Sequence, residues 1–153
     1  KFYNKYYSNI NGFNSRLDEV NSKILNFKLS KIDQFIIKRR KIAKIYDNEL
    51  KNTALRLPII NTKKFDVYHL YTVYHKKRDI IIKKLLKEKI QTRIIYPFPI
   101  HKMKAYSNFF KNEKYIVSEN MSKGIFSLPL YPELSIKDVK IICKKLKKIL
   151  LSV

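Results

Sequence analysis

The sequence predicts an α+β fold in which a long N-terminal helix precedes a small sheet of about three strands flanked by helices. Apolar residues recur every three to five positions from Ser15 to Leu50, and short β-branched or aromatic stretches alternate with helical ones after Pro58. Hydrophobic residues make up 45% of the 153 positions, and there is one cysteine. We therefore expect a core without internal disulfides, in one modest domain or part of a larger protein.

The spacing of apolar residues in the N-terminal third predicts one long helix with a single buried stripe. The stripe consists of Leu17, Val20, Ile24, Phe27, Ile32, Phe35, Ile36, Ile42, Ala43, Tyr46 and Leu50. Ser15 followed by Asp18 predicts a capping box at its start. A continuous helix to Leu50 would be about 50 Å long. The remaining residues are too few to cover it, so we expect a bend or a packing partner outside this chain.

The rest of the chain predicts shorter elements with at least one antiparallel strand pair. In order, they are a strand at 67–74, a helix at 78–89 with Ile81, Ile82, Leu85 and Leu86 inward, a strand at 91–95, a helix at 114–123, a strand at 125–128 and a final helix. Ser135 and Asp138 predict the cap of that last helix. Its predicted inner face is Val139, Ile142, Cys143, Leu146, Ile149 and Leu150, which makes Cys143 a small buried hydrophobe.

We expect two parts in the chain. Residues 1–57 form a linking segment and a long interdomain helix, and residues 58–153 form a small C-terminal α+β domain. The first residue is Lys1 and not Met, which predicts a start inside a longer reading frame or after processing. No apolar run approaches the roughly 20 residues of a membrane-spanning helix, and no signal peptide is evident, so we expect a cytoplasmic protein.

The formal net charge of +22 raises the alternative of a nucleic-acid-binding module. The chain contains 28 Lys, 22 Ile and 12 Asn, three residues with AT-rich codons, so base composition also accounts for much of the charge. Only 6 of the basic residues are Arg, which suits bidentate phosphate contacts better than Lys does. We expect no specific nucleic-acid partner.

Several kinds of site are excluded by the residue inventory. Gly12 and Gly124 are the only glycines, too few for a Rossmann or P-loop phosphate cradle. The three histidines and Cys143 have no recognised ligand spacing, so we expect no metal site.

Two segments remain as candidates for function. Residues 12–18 place Asn14 and Arg16 at a helix start, where free amides favour an anion, although a plain cap and turn fits equally well. Residues 96–101, Tyr-Pro-Phe-Pro-Ile-His, end a predicted strand in a proline-fixed loop that presents Tyr96 and His101, or that simply terminates the strand.

These segments and others resemble the DegT/DnrJ/EryC1/StrS family of pyridoxal-phosphate-dependent sugar aminotransferases. The matching residues, in the family's order and spacing, are Gly12 to Glu19, Arg40 to Tyr46, Tyr68 to Tyr71, Arg78-Asp79, Ile90, Thr92, Tyr96-Pro97, Pro99-Ile100-His101, Ala105-Tyr106, Glu119 and Ser127 to Leu134. The resemblance implies the C-terminal domain of a fold-type I pyridoxal-phosphate enzyme. Asn21-Ser22-Lys23 and Ile95 depart from the family pattern.

The resemblance also implies what this chain contributes. The family's Schiff-base lysine and its acidic partner for the pyridine nitrogen lie upstream of the matched region, so we expect no catalytic residue here and no transamination by this chain alone. Asn14 would bind the cofactor phosphate across a homodimer interface, with Arg16 close by for phosphate or substrate charge. Tyr96 and His101 would bind substrate at the entrance to the site, where the nucleotide sugar or the amino donor passes. His69 would be structural.

The implied reaction takes an amino group from glutamate to a keto sugar nucleotide, preferably a 3-keto-6-deoxyhexose, for polysaccharide or glycan synthesis. A non-catalytic remnant that dimerises through its long helix is the other alternative.

Overall fold

The computed structural model describes residue 13 and residues 15–59, 63–106, 108–110 and 113–153. The chain divides into two compact units, Lys1–Asp33 and Gln34–Val153. The division at residues 57 and 58 that the sequence suggests stays a prediction. No helix within the described ranges is long and apolar enough to cross a membrane.

The first helix, α1, spans Glu19–Leu29. Asp18 is its N-cap, and the carboxylate accepts a hydrogen bond from the Asn21 amide at 2.8 Å. The predicted capping box is therefore wrong, because Ser15 lies outside the helix and Asp18 caps it alone. None of the α1 residues is buried.

The predicted continuous helix from Ser15 to Leu50 is also wrong, because a break at Ser30 and Lys31 separates α1 from α2, Ile32–Leu50. The Ser30 hydroxyl donates to the Phe27 carbonyl at 2.8 Å, and the Lys31 amide donates to Lys28 three residues back. A serine hydroxyl that takes a helix carbonyl offers the backbone an alternative to continuing the helix. Beyond the break, the predicted stripe is buried at Ile42, Ala43, Tyr46 and Leu50. The prediction of one buried stripe is wrong over the first half of the segment, where the exposed members are Leu17, Val20, Ile24, Phe27 and Ile32.

The sheet consists of β1, Tyr71–Tyr74, and β2, Ile125–Leu128, which pair antiparallel with Tyr71 opposite Leu128. The antiparallel pair is as predicted. Strand β1 begins later than predicted, because Tyr68 has φ 48°, in the left-handed region that regular strands do not use.

The strand predicted at 91–95 is wrong within the described chain, so the sheet has two strands there instead of about three. This segment contributes one isolated bridge, in which Arg93 and Ser127 exchange backbone hydrogen bonds of 3.2 and 2.8 Å. Pro97 and Pro99 follow closely, and neither has an amide hydrogen to extend the pairing.

Three more helices complete the fold: α3, Arg78–Lys87, α4, Ile116–Gly124, and α5, Ile136–Leu150. In α3, Ile81 and Leu85 are buried as predicted, whereas Leu86 is exposed. The Ser135 hydroxyl accepts from the Asp138 amide at 3.0 Å, which confirms the predicted cap of α5.

The core lies in Gln34–Val153 and joins the second half of α2, the sheet, α3 and α5. Its largest fully buried side chains are Ile42, Tyr46, Leu50, Tyr71, Val73, Ile81, Leu85, Phe126, Val139, Cys143 and Leu146. Cys143 is buried as predicted, and burial raises the pKa of its thiol to about 12. A thiol with such a pKa remains protonated at neutral pH, as expected of a packing residue.

Candidate functional site

The loop that carries Tyr96 and His101 is held at both ends. Before it, Arg93 is bonded to Ser127 of β2 through the two backbone hydrogen bonds given above. After Pro99, at φ −64° and ψ 145°, the chain makes one 3-10 turn, Ile100–Lys102, in which the Lys102 amide donates to Pro99 at 3.0 Å. Proline at two positions restricts the backbone further. The sequence Tyr-Pro-Phe-Pro-Ile-His therefore produces a short loop with a restricted conformation.

The His101 side chain lies inside this loop region, with only 7% of its surface exposed. Its Nε2 atom is 3.1 Å from Oε1 of Glu119 in α4, and its ring centroid is 4.8 Å from that of Tyr115. An ionised carboxylate can only accept hydrogen bonds, so Nε2 carries the hydrogen and donates it. His101 is thus joined to a residue 18 positions away.

Two groups with positive charge or a polarised hydrogen lie beside the Glu119 carboxylate, the His101 N–H and the Lys102 ammonium group. The hydrogen bond from His101 is the main reason that the pKa of its carboxyl is lowered, and Lys102, with Nζ 3.5 Å from Oε1, adds to the effect. Glu119 is therefore ionised at neutral pH and can hold both groups.

Tyr96 and Phe98 have the opposite placement in the same loop. Each is 66% exposed, so both aromatic rings offer large surfaces to a ligand. Aromatic rings with a free face can stack on planar groups such as nucleobases. Tyr96 and His101 thus share one loop, although Tyr96 is exposed and His101 is enclosed.

The predicted phosphate-binding pair lies in the other unit. Arg16 is exposed in the segment that leads into α1, and Asn14 lies outside the described residues. At the start of α1, the Asn21 amide is already bonded to the Asp18 carboxylate. That amide is therefore not available to an anion.

A groove of about 640 Å³ in Gln34–Val153 is lined in part by the matched segment Ser127 to Leu134, for which the sequence suggested no ligand. Its lining is mostly apolar, with Ile90, Leu128, Leu130, Leu134 and Ile142, and charged groups such as Glu88, Lys89 and Lys145 also line it. Glu88 and Lys145 pair with each other at 3.0 Å.

The described residues do not by themselves form a pyridoxal-phosphate site. That cofactor needs a lysine enclosed beside it as covalent anchor. None of the lysines in the described ranges is buried. Within the same ranges, no group of three or more His, Cys, Asp or Glu side chains could hold a metal ion.

Sequence reasoning identified His101 but not the residues that hold it. Glu119 was part of the motif pattern, yet it lies on a separate helix and nothing local pairs it with His101. His69, predicted to be structural, is exposed, and its carbonyl accepts from Arg39 at 3.2 Å.

Comparison with known proteins identifies the chain. The family model of the DegT/DnrJ/EryC1/StrS aminotransferases matches residues 1–147. The chain belongs to the DegT/DnrJ/EryC1/StrS aminotransferase family. Members of this family depend on pyridoxal phosphate and transfer amino groups to sugar nucleotides.

Two relatives of this family illustrate the similarity. The chain is 40% identical over 136 residues to dTDP-3-amino-3,6-dideoxy-alpha-D-galactopyranose transaminase of Aneurinibacillus thermoaerophilus, a match covering 89% of this chain and 37% of that protein. It is 36% identical over 135 residues to dTDP-3-amino-3,4,6-trideoxy-alpha-D-glucose transaminase of Micromonospora megalomicea subsp. nigra, covering 84% of this chain and 36% of that protein. The chain thus spans little more than a third of the length of these relatives.

A solved DegT/DnrJ/EryC1/StrS structure confirms the α+β fold class. The S. venezuelae DesV structure superimposes with a TM-score of 0.89 at 27% identity, covering 98% of this chain and 41% of that chain. The fold predicted from the resemblance is therefore the fold of the family.

Proposed function

We propose that this chain acts as the C-terminal part of a pyridoxal-phosphate-dependent aminotransferase that converts a keto sugar nucleotide into an amino sugar nucleotide. The observation that carries the proposal is the 40% identity, over 89% of this chain, to a transaminase of that kind. Both relatives described above are named for sugars with the amino group at position 3, which favours a 3-keto-6-deoxyhexose nucleotide as substrate.

The residues of this chain would support the site from its edge. Asn14 and Arg16 would bind the cofactor phosphate held by the neighbouring subunit of a homodimer, and Tyr96 and His101 would line the substrate entrance. The exposure of Arg16 and Tyr96 leaves both accessible for such contacts. Glutamate would donate the amino group and leave as 2-oxoglutarate, in a cytoplasmic pathway of polysaccharide or glycan synthesis.

The proposal includes that the 153 residues alone do not transaminate. A catalytic lysine must be enclosed beside the cofactor, whereas every lysine in the described ranges contacts solvent. The enzyme would therefore require a further segment that supplies the lysine and the acid for the pyridine nitrogen. The DNA immediately upstream tests this point, because a locus with no segment encoding such a domain would contradict the proposal.

The direct test uses the complete enzyme with pyridoxal phosphate, glutamate and a dTDP-3-keto-6-deoxyhexose. We expect equal amounts of 2-oxoglutarate and amino sugar nucleotide, and we expect loss of turnover when Arg16 is changed to Ala. No amino sugar from any keto sugar nucleotide would overturn the proposal. A matched control is Lys137→Ala, which removes an exposed cation from α5 and should leave turnover unchanged.

A second test uses the 153-residue chain. It is mixed with pyridoxal phosphate, reduced with borohydride and digested for mass spectrometry. We expect low, scattered modification across many lysines. Stoichiometric modification of one lysine, together with turnover, would contradict the predicted inactivity of the chain alone.

A further inference from the structure

We infer that His101 is a positioning residue, which fastens the loop of residues 96–99 to α4 through Glu119 so that the exposed Tyr96 ring meets the ligand. The identity of that ligand as a sugar nucleotide rests on the proposed function, whereas the fastening itself does not. The sequence placed Tyr96 and His101 in one role, and the geometry points to two.

The first argument is the contrast in burial within one short loop. The His101 side chain is 7% exposed and its Nε2 atom is bonded to Glu119, whereas Tyr96 is 66% exposed. A side chain that contacts a ligand needs free surface and a free polar atom. Tyr96 has the surface, and His101 has its Nε2 hydrogen committed.

The second argument is the strength and position of the link. A hydrogen bond to an ionised carboxylate is roughly twice as strong as one between neutral groups. Here it joins the 3-10 turn that follows the loop to α4, and Lys102 on the same turn contacts the same Glu119 oxygen at 3.5 Å. The Tyr115 ring also contacts His101, with the two ring centroids 4.8 Å apart.

The third argument is that the prolines restrict the loop but do not attach it. Pro97 and Pro99 have no amide hydrogen to donate, and the backbone bonds at the two ends of the loop do not reach α4, so a side-chain contact makes that attachment. Because Glu119 holds His101 in place, it is a positioning residue as well, and it acts on the ligand only through His101 and the loop.

Hydrogen exchange of the 153-residue chain tests the fastening without reference to activity. The Met103 and Tyr106 amides, bonded to Ile100 and Met103 at 3.0 and 2.9 Å, report on the turns after the loop. We expect His101→Ala and Glu119→Ala to speed their exchange about tenfold after correction for intrinsic rates. Val73 in β1 should stay protected in both variants, which shows that the fold persists.

Two further variants complete this test. His101→Gln keeps an N–H donor within reach of Glu119 and should exchange like the wild type. Glu88→Ala breaks the exposed pair with Lys145 elsewhere on the molecule and should also leave these amides unchanged. If either alanine variant unfolds, Glu119→Gln takes its place in the test. Glutamine keeps a side-chain oxygen but has no charge, so we expect the exchange rates of these amides to rise by less than in an alanine variant. Wild-type exchange in folded variants of both His101 and Glu119 would overturn the inference.

Kinetics of the complete enzyme test the assignment of roles. We expect Tyr96→Ala and His101→Ala to raise KM for the sugar nucleotide about tenfold with little change in kcat, and His101→Gln to restore KM. A His101→Gln variant with normal loop exchange but the KM of His101→Ala would mean that His101 itself binds the substrate, and would overturn the inference. A wild-type enzyme with no transaminase activity would disprove the proposed function while the exchange result would still decide the fastening.

Discussion

At the residue scale, a few polar side chains tie α2 to the sheet within Gln34–Val153. The Tyr46 hydroxyl donates to the Pro129 carbonyl at 2.8 Å, and the Tyr71 hydroxyl donates to Asp47 at 2.6 Å. The two tyrosine rings lie 4.9 Å apart. The Arg39 guanidinium adds contacts to three backbone carbonyls. The two tyrosine bonds are partly buried and therefore costly to leave unmade, so they hold α2 in one position on the sheet.

Asp47 provides a prediction about pH. Burial raises the pKa of its carboxyl, although the Tyr71 hydrogen bond acts in the opposite direction. The native state then binds the proton more tightly than the unfolded state, so this group lowers the free energy of unfolding as pH rises from about 4 through its native pKa.

We expect Asp47→Asn to keep an oxygen for the Tyr71 hydroxyl and to abolish that contribution. Urea unfolding at pH 4 and at pH 7 measures the free energy of unfolding of both proteins. The value for the variant minus the value for wild type should be larger at pH 7 than at pH 4. Glu133→Gln, which changes an exposed carboxylate, serves as the control. An equal difference between variant and wild type at both pH values would contradict the prediction.

Gly124 provides a second prediction at this scale. It ends α4, and an added Cβ atom would lie 2.9 Å from the His75 carbonyl oxygen and would overlap the Tyr74 ring. The His75 backbone, which directly follows β1 and donates its amide to the Gly124 carbonyl, cannot move aside easily. We therefore expect Gly124→Ala to lower the free energy of unfolding by about 1–3 kcal/mol. Ser118→Ala, exposed on the same helix, should change it little, and equal effects of the two variants would count against this packing argument.

At the element scale, the observed helix starts show which of the predicted capping residues cap a helix. Ser15 and Ser135 occur in the same pattern, each followed three residues later by Asp, yet only Ser135 caps a helix. The first helix starts four residues after Ser15 because the Asp18 side chain itself accepts from Asn21. The pattern alone does not tell which of its two polar residues becomes the cap.

The two serines therefore form a matched pair of variants. We expect Ser135→Ala to lower the free energy of unfolding by about 1 kcal/mol, because it leaves the Asp138 amide without its acceptor. Ser15→Ala should have no measurable effect. Thermal or urea unfolding compares them directly, and a larger loss from Ser15→Ala would contradict the assigned caps.

At the scale of the whole molecule, the charge of +22 is the most conspicuous property. The lysines spread over all helices, and the basic residues of α5 occupy the face opposite its buried side chains. A diffuse positive surface attracts any polyanion by releasing counterions, without reading a sequence.

We expect the chain to bind duplex DNA at about 20 mM salt and to lose that binding by about 0.2 M, with no preference among sequences. Fluorescence anisotropy over a salt series measures this, and polylysine of similar charge is the control. Retention of one DNA sequence at physiological salt would instead support the nucleic-acid-binding alternative.

The sequence by itself determined the inner faces of α5, of the second half of α2 and, except at Leu86, of α3, together with the antiparallel strand pair and the family, because periodicity and motif order are properties of the chain. Tertiary structure decided the reduction of residues 91–95 to one bridge and the partner of His101. These outcomes depend on competition between backbone partners and on contacts between segments distant in sequence. His101 meets Glu119 only because the fold brings α4 beside the loop, and no local pattern contains that contact.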